Sequence, residues 1–193
     1  EVAAFRLGLV QPARAVERWI KTVGDATAGG RANSAWAHGR IEDGRALAPI
    51  VALFRDDAAP VREAAVVAAG RMDSTSTSAA LMRVVQQDAA PRVRRVAAWA
   101  LGTLEARDAA DVLANVLAHD SDAPVREMTA WALGNIEAKS GVTALSNALR
   151  HDADERVRET AAWALARTED RSSVEVLGAV AEGRAFLLQG GDC

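Results

Sequence analysis

The chain has 193 residues, half of them hydrophobic, and a formal net charge of -3. That balance gives no global attraction to nucleic acid or to an anionic bilayer, and the longest apolar stretch, Leu47 to Phe54, is far short of a membrane span. Alanine dominates, Tyr is absent and Phe is scarce, which suits close-packed helices, so almost no strand is expected.

The only lysines are Lys21 and Lys139; this skew towards Arg fits a GC-rich bacterial genome and carries no functional weight. The only thiol is Cys193, so no intrachain disulfide can form and the redox compartment stays open. No signal peptide is visible, yet the chain begins at Glu1 and not at Met, as expected of a processed product or a piece of something larger. A soluble, cytoplasmic location is favoured.

Read in chain order, residues 1–24 are an N-terminal cap or partial repeat, in which Pro12 to Thr22 looks like the second helix of an incomplete unit. Residues 25–55 are a degenerate first unit, with Asp25, Arg31 and the run Ala35-Trp36-Ala37-His38-Gly39, one residue shorter than its successors. Its helices should span Arg31 to Arg40 and Ala46 to Phe54. Four units in register follow, 56–87, 88–119, 120–151 and 152–183, opened by Asp56, Asp88, Asp120 and Asp152. Five residues after each Asp comes Val61-Arg62, Val93-Arg94, Val125-Arg126 or Val157-Arg158, and six beyond the Val comes Val67, Trp99, Trp131 or Trp163. The last second helix holds Val174, Leu177 and Val180, and residues 184–193 form a tail whose Phe186, Leu187 and Leu188 cover the end of the array or dock onto a partner.

Periodicity within a unit is helical: Val93, Ala97, Ala100, Leu101 and Leu104 share one side of a first helix. A polar turn follows, then a second helix with Val112, Leu113, Val116 and Leu117, or Leu145, Ala148 and Leu149. Pro60, Pro91 and Pro124 fall in first turns, where a missing amide hydrogen costs nothing, and Asp or Ser just upstream can cap the free amides. Gly39, Gly70, Gly102 and Gly134, with Ala166 at the matching place, fall near the first-helix end, letting the next helix approach and weakening the helix where it must stop. A unit of this length cannot bury its own apolar face and must stack on copies of itself, so one continuous all-α solenoid over residues 1–193 is expected.

Written out as Asp-x4-Val-Arg-x2-Ala-Ala-x-Ala-Leu-Gly, a turn, and a Leu-rich second helix ending at the next Asp, the repeat resembles HEAT repeats over residues 25–182. It is most similar to the subclass named after phycobilisome-lyase subunits. The resemblance implies a right-handed α-solenoid of stacked antiparallel helix pairs, serving as a scaffold or adaptor, with a few enzymatic branches. His38 and Ala69 depart from the pattern where a first-helix Leu belongs, as does Ala166 for Gly.

The Arg ladder, Arg31, Arg62, Arg94, Arg126 and Arg158, is read as structural and not as a phosphate-binding stripe. The resemblance implies that these forks bridge the unit-opening carboxylates and loop carbonyls between repeats. The Trp ladder is the candidate for function. At about 100° per residue Trp99 falls outside the buried arc, so Trp99, Trp131 and Trp163 should be partly exposed and form a contiguous row. Arg92, Arg95, Val96, Glu127, Met128 and Thr160 flank it, a mixture enriched in interface cores. The bland alternative, that each indole merely packs between adjacent first helices, is compatible if the rings are half buried.

His119 and His151 each precede an Asp, but a metal site needs a third ligand that is not evident, and a helix C-terminus favours His on dipole grounds. His38 reads as a satisfied or edge-exposed histidine. No Gly-rich phosphate loop, nucleophile elbow or His-Glu metal motif occurs.

The function expected is a non-catalytic scaffold that binds a protein or peptide partner through the first-helix surface, without cofactor or metal and without nucleic acid or membrane insertion. Homo-oligomerisation stays open. The alternatives are a phycobilin-lyase-like chromophore-handling subunit, resting on the resemblance alone, or the repeat region of a larger sensor or assembly protein. A DNA-binding module is disfavoured because Glu63, Glu127, Glu155 and Glu159 interleave with the surface arginines.

Overall fold

The computed structural model describes residues 23–41, 44–72, 74–168 and 170–178. The proposed cap helix Pro12 to Thr22, Val180, the tail with Phe186, Leu187 and Leu188, and Cys193 lie outside the described residues. Among those described, all regular structure is helical and no strand occurs. Contacts divide the chain at Leu104/Glu105 into two compact units.

In the first unit, first helices α1 (Ala28–Ile41), α3 (Ala59–Arg71) and α5 (Pro91–Thr103) pack in sequence, α1 on α3 and α3 on α5. The second helices are α2 (Leu47–Ala52) and α4 (Ser78–Gln87), each packed on the first helix that follows it. The 25–55 repeat is one residue short, and the chain absorbs this by tightening: α2 runs on as a 3-10 turn, Leu53–Arg55. A 3-10 helix rises about 2.0 Å per residue against about 1.5 Å for an α-helix, so both second helices still cover about 15 Å before the next Asp.

The second unit holds second helices α6 (Ala110–His119) and α8 (Val142–His151) and first helices α7 (Ala123–Asn135) and α9 (Glu155–Arg167). Here α7 packs on α9, α6 on α7 and α8 on α9. Residues 171–178 are also helical; Leu177 is half buried, whereas Val174 is 67% exposed.

The apolar arc read from the sequence is the core. Val93, Ala97, Ala100, Leu101 and Leu104 are all buried, as are Leu113, Leu117, Leu145 and Leu149 on second helices. His38 is fully enclosed and not at an edge. Thr129 takes a core position filled by Ala65, Ala97 and Ala161 elsewhere, and its hydroxyl is satisfied by donating to the Val125 carbonyl at 2.7 Å. Helix starts follow the sequence signals in part. Asp122 and Asp154 cap α7 and α9 by accepting from backbone amides, whereas the residues preceding α3 and α5 are Ala58 and Ala90, without side-chain caps.

Glycine does not end the first helices. Gly39, Gly70 and Gly134 sit inside α1, α3 and α7, and no described glycine has a positive φ. The left-handed residue that stops α7 is Glu137 (φ 52°), where Ala138 N–H donates to the Leu133 carbonyl and Glu137 N–H to that of Gly134. This is a Schellman cap built on a non-glycine residue, and Glu105 (φ 49°) occupies the same repeat position.

Candidate partner-binding surface

The ladder arginines Arg31, Arg62 and Arg126 are committed to contacts between repeats. Arg31 donates through Nε and Nη2 to the two carboxylate oxygens of Asp56 at 2.6 and 3.0 Å, and Arg62 does the same to Asp88 at 2.7 and 2.8 Å. Arg126 grips Asp152 at 2.8 Å through both nitrogens. In each case the acid belongs to the following repeat, while Nη1 turns back to the opening carbonyl of its own repeat: Arg31 to Asp25, Arg62 to Asp56, Arg126 to Asp120. Arg94 and Arg158 donate likewise to the Asp88 and Asp152 carbonyls at 2.8 Å. Each carboxylate also accepts from the amide two residues on, Asp56 from Ala58 and Asp152 from Asp154 at 2.9 Å.

One planar fork thus ties two repeats and one turn together, which a lysine could not do. The Arg31 and Arg126 forks hold the Asp56 and Asp152 carboxyls below the usual carboxylate range, against the upward push of burial. For Asp88 burial is the largest single influence and acts upward, but the Arg62 fork, the Ala90 amide and the charges of Arg62 and Arg94 outweigh it and leave the carboxyl lowered. These arginines are occupied in registering the repeats.

The glycines explain the tryptophans. A Cβ on Gly70 would lie 2.8 Å from Ala100 Cβ and 2.9 Å from Trp99 Cζ3; a Cβ on Gly134 would lie 2.8 Å from Ala164 and from Trp163 Cζ3. Each of these indoles therefore rests one edge on the bare backbone of the preceding first helix. A Cβ on Gly39 would meet Ala68 Cα at 2.6 Å, and here the Trp position holds Val67. Ala166 departs from glycine where its methyl is exposed.

Trp99 and Trp131 are half buried, Trp163 is 40% exposed and Trp36 44% exposed. The two most exposed rings each carry an arginine four residues on, Arg40 over Trp36 and Arg167 over Trp163, both at 5.3 Å from the ring centroid. Arg167 Nε also donates to the Gly134 carbonyl at 3.2 Å.

The flanking candidates fall into the two units. In the first, Arg92, Arg95, Val96 and Trp99 lie on α5; Arg92 and Arg95 are exposed, Val96 is half buried, and Arg92 pairs with Glu63 of α3 at 2.8 Å. In the second, Glu127, Met128 and Trp131 lie on α7 and Thr160 and Trp163 on α9; Glu127, Met128 and Thr160 are half buried, and Arg156 reaches Glu127 at 3.8 Å. His119 and His151 are exposed, and the His119 ring donates through Nδ1 to the Asn115 carbonyl at 2.9 Å.

A second feature went unnoticed in the sequence. The first unit contains a cleft of about 890 Å³ between α2 and α4, floored by small apolar side chains such as Val51, Ala80 and Val84 and edged by Arg55, Arg83 and Gln87. The signal that could have found it is a break in the repeat. Arg83 stands where the later units have Asn115 and Asn147, and Arg55 where they have Gln87, His119 and His151.

A family model described as HEAT repeats matches residues 52–134 and 110–186. Comparison with curated proteins gives no match. Among solved structures, the CpcE–CpcF complex of phycocyanin lyase from Nostoc sp. PCC7120 is similar with a TM-score of 0.72 and 23% identity, covering 92% of this chain and 71% of that one. A designed armadillo repeat protein in complex with the peptide (KR)4 is similar with a TM-score of 0.63 and 20% identity, covering 91% and 92%. An engineered protein gives a TM-score of 0.65 and 21% identity, covering 92% of each chain. At these identities the likeness is one of fold, that of an α-solenoid.

Proposed function

We propose that this chain, which belongs to the HEAT-repeat family, is a non-catalytic platform that captures a protein or peptide partner on its first-helix surface. The observation that carries this reading is the seating of the indoles. Trp99 and Trp163 each have one edge fixed against a glycine backbone while the ring stays partly exposed. An aromatic anchor held in this way loses little conformational freedom on binding, which is what an interface hot spot needs. Met128, Thr160 and Trp131 beside Trp163 in the second unit, and Arg95 and Val96 beside Trp99 in the first, supply adaptable apolar and polar neighbours. The similar armadillo fold with a bound peptide supports a stacked-helix surface as a peptide platform.

The test is affinity capture from the source cells with wild type, Trp131→Ala, Thr160→Arg and Arg95→Glu, with thermal melts in parallel. A partner retained by wild type and lost by the variants, with helicity and melting nearly unchanged, is the expected result. Equal capture by all four, or a large loss of stability in Trp131→Ala with capture intact, overturns it and leaves the indoles as packing.

A second reading, a chromophore-handling subunit, is favoured by the likeness to a phycocyanin lyase complex. Incubation with a bilin should then shift its visible absorption; an unchanged spectrum removes this reading.

A further inference from the structure

We propose that the cleft between α2 and α4 is a second binding site, for an extended acidic peptide whose carboxylates are held by Arg55 and Arg83. The cleft lies wholly within the first unit and, apart from Arg62 of α3, is lined by second helices and their loops; none of Arg92, Arg95, Val96 and Trp99 on the first-helix surface lines it. Its volume, about 890 Å³, is at the upper end of the range for ligand sites, and Ala48, Ala52, Arg55, Arg83 and Gln87 in its lining are exposed, so it is open to solvent and can admit a segment of chain.

Charge decides the occupant. Of the acids that line the cleft, Asp56 and Asp88 are already gripped by Arg31 and Arg62 and are nearly inaccessible, so they cannot neutralise the cations at the edge. Arg55 and Arg83 are exposed and make no ion pair or side-chain hydrogen bond among the described residues. Two uncommitted guanidinium forks above a floor of Ala48, Val51, Ala80 and Val84 match alternating carboxylate and aliphatic groups. A nucleic acid fits worse. Asp57 at the edge opposes either anion alike, but two cations are too few for a run of phosphates, and the one aromatic lining residue, Phe54, is buried and offers no face for a base. The cation pair is also specific to this cleft, because the corresponding positions of the later units carry Asn115, Asn147, His119 and His151.

Fluorescence anisotropy with a labelled Glu-Ala repeat peptide, at low and moderate salt, tests the site directly. Wild type should bind the acidic peptide, more tightly at low salt, and should not bind length-matched Gln-Ala or Lys-Ala peptides. Arg55→Gln and Arg83→Gln should each weaken binding by about ten-fold, with melting unchanged because both side chains are solvent-facing. Trp131→Ala should bind like wild type, which separates this site from the first-helix surface. Methyl resonances of Val51 and Val84 should shift on titration. Absence of binding at low salt, equal binding of the Gln-Ala peptide, a double Arg variant that binds as wild type does, or tighter binding of oligo-dT would each overturn the proposal.

Discussion

First helices and second helices use repetition differently. On the first helices the same residues recur at the same places, and each recurrence has a mechanical partner: Gly134 beneath Trp163, Gly70 beneath Trp99, Arg126 on Asp152, Arg62 on Asp88. On the second helices the buried apolar positions recur, while exposed positions differ between the units: Arg83 in the first gives way to Asn115 and Asn147 in the second. Strict recurrence therefore marks what registers the stack. Irregularity on an otherwise regular face marks where the chain is free to specialise, as at the α2–α4 cleft.

The strongest way to break this contrast is to remove one fork. Arg126→Met leaves the Asp152 carboxylate, 8% exposed, without its bidentate partner and should cost about 3 kcal/mol. Arg158→Met, at the same repeat position, should cost much less, because the described contacts of Arg158 are backbone carbonyls alone. Urea unfolding of both variants gives the comparison, and equal losses would mean that the carboxylate pairing is not what matters. The same pairs set the acid response. Folded-state pKa values of Asp56 and Asp152 lie below those of the unfolded chain, so the unfolded state takes up protons first as pH falls. Their stabilisation is complete above about pH 5 and is lost as pH drops towards and through the lowered folded values. Arg126→Met should flatten that decline.

A smaller effect separates packing glycines from incidental ones. Gly134→Ala drives a methyl into Ala164 and Trp163 and should cost about 2 kcal/mol. Gly29→Ala, in the first turn of α1 with nothing within 4 Å of its Cβ, should be neutral or stabilise by up to about 1 kcal/mol. Opposite shifts in melting temperature are expected; two changes of the same sign would contradict the seating of Trp163.

The smallest effect sharpens the cap. Glu137→Gly relieves a left-handed φ and should stabilise by about 0.5 kcal/mol. It loses only an exposed 3.7 Å pair with Arg167, worth little at a surface. A loss of stability in calorimetry would mean that this pair counts for more than backbone strain.

Much of this protein follows from periodicity alone, because each helix buries its apolar side by a rule local to the chain. The two-helix unit, the buried arc of Val93, Ala97, Leu101 and Leu104, and the partial exposure of the tryptophans were all legible in that way. What tertiary structure decided are contacts between residues far apart in sequence. The forks of Arg31, Arg62 and Arg126 cross to the next repeat's carboxylate while keeping their own repeat's carbonyl. Gly70 and Gly134 serve as seats for the next repeat's indole and not as stops, and α7 ends beyond Gly134 at the left-handed Glu137. Spacing can place a side chain on a face, but the partner it meets depends on how closely the neighbouring helix approaches, a distance set by every side chain packed between the two.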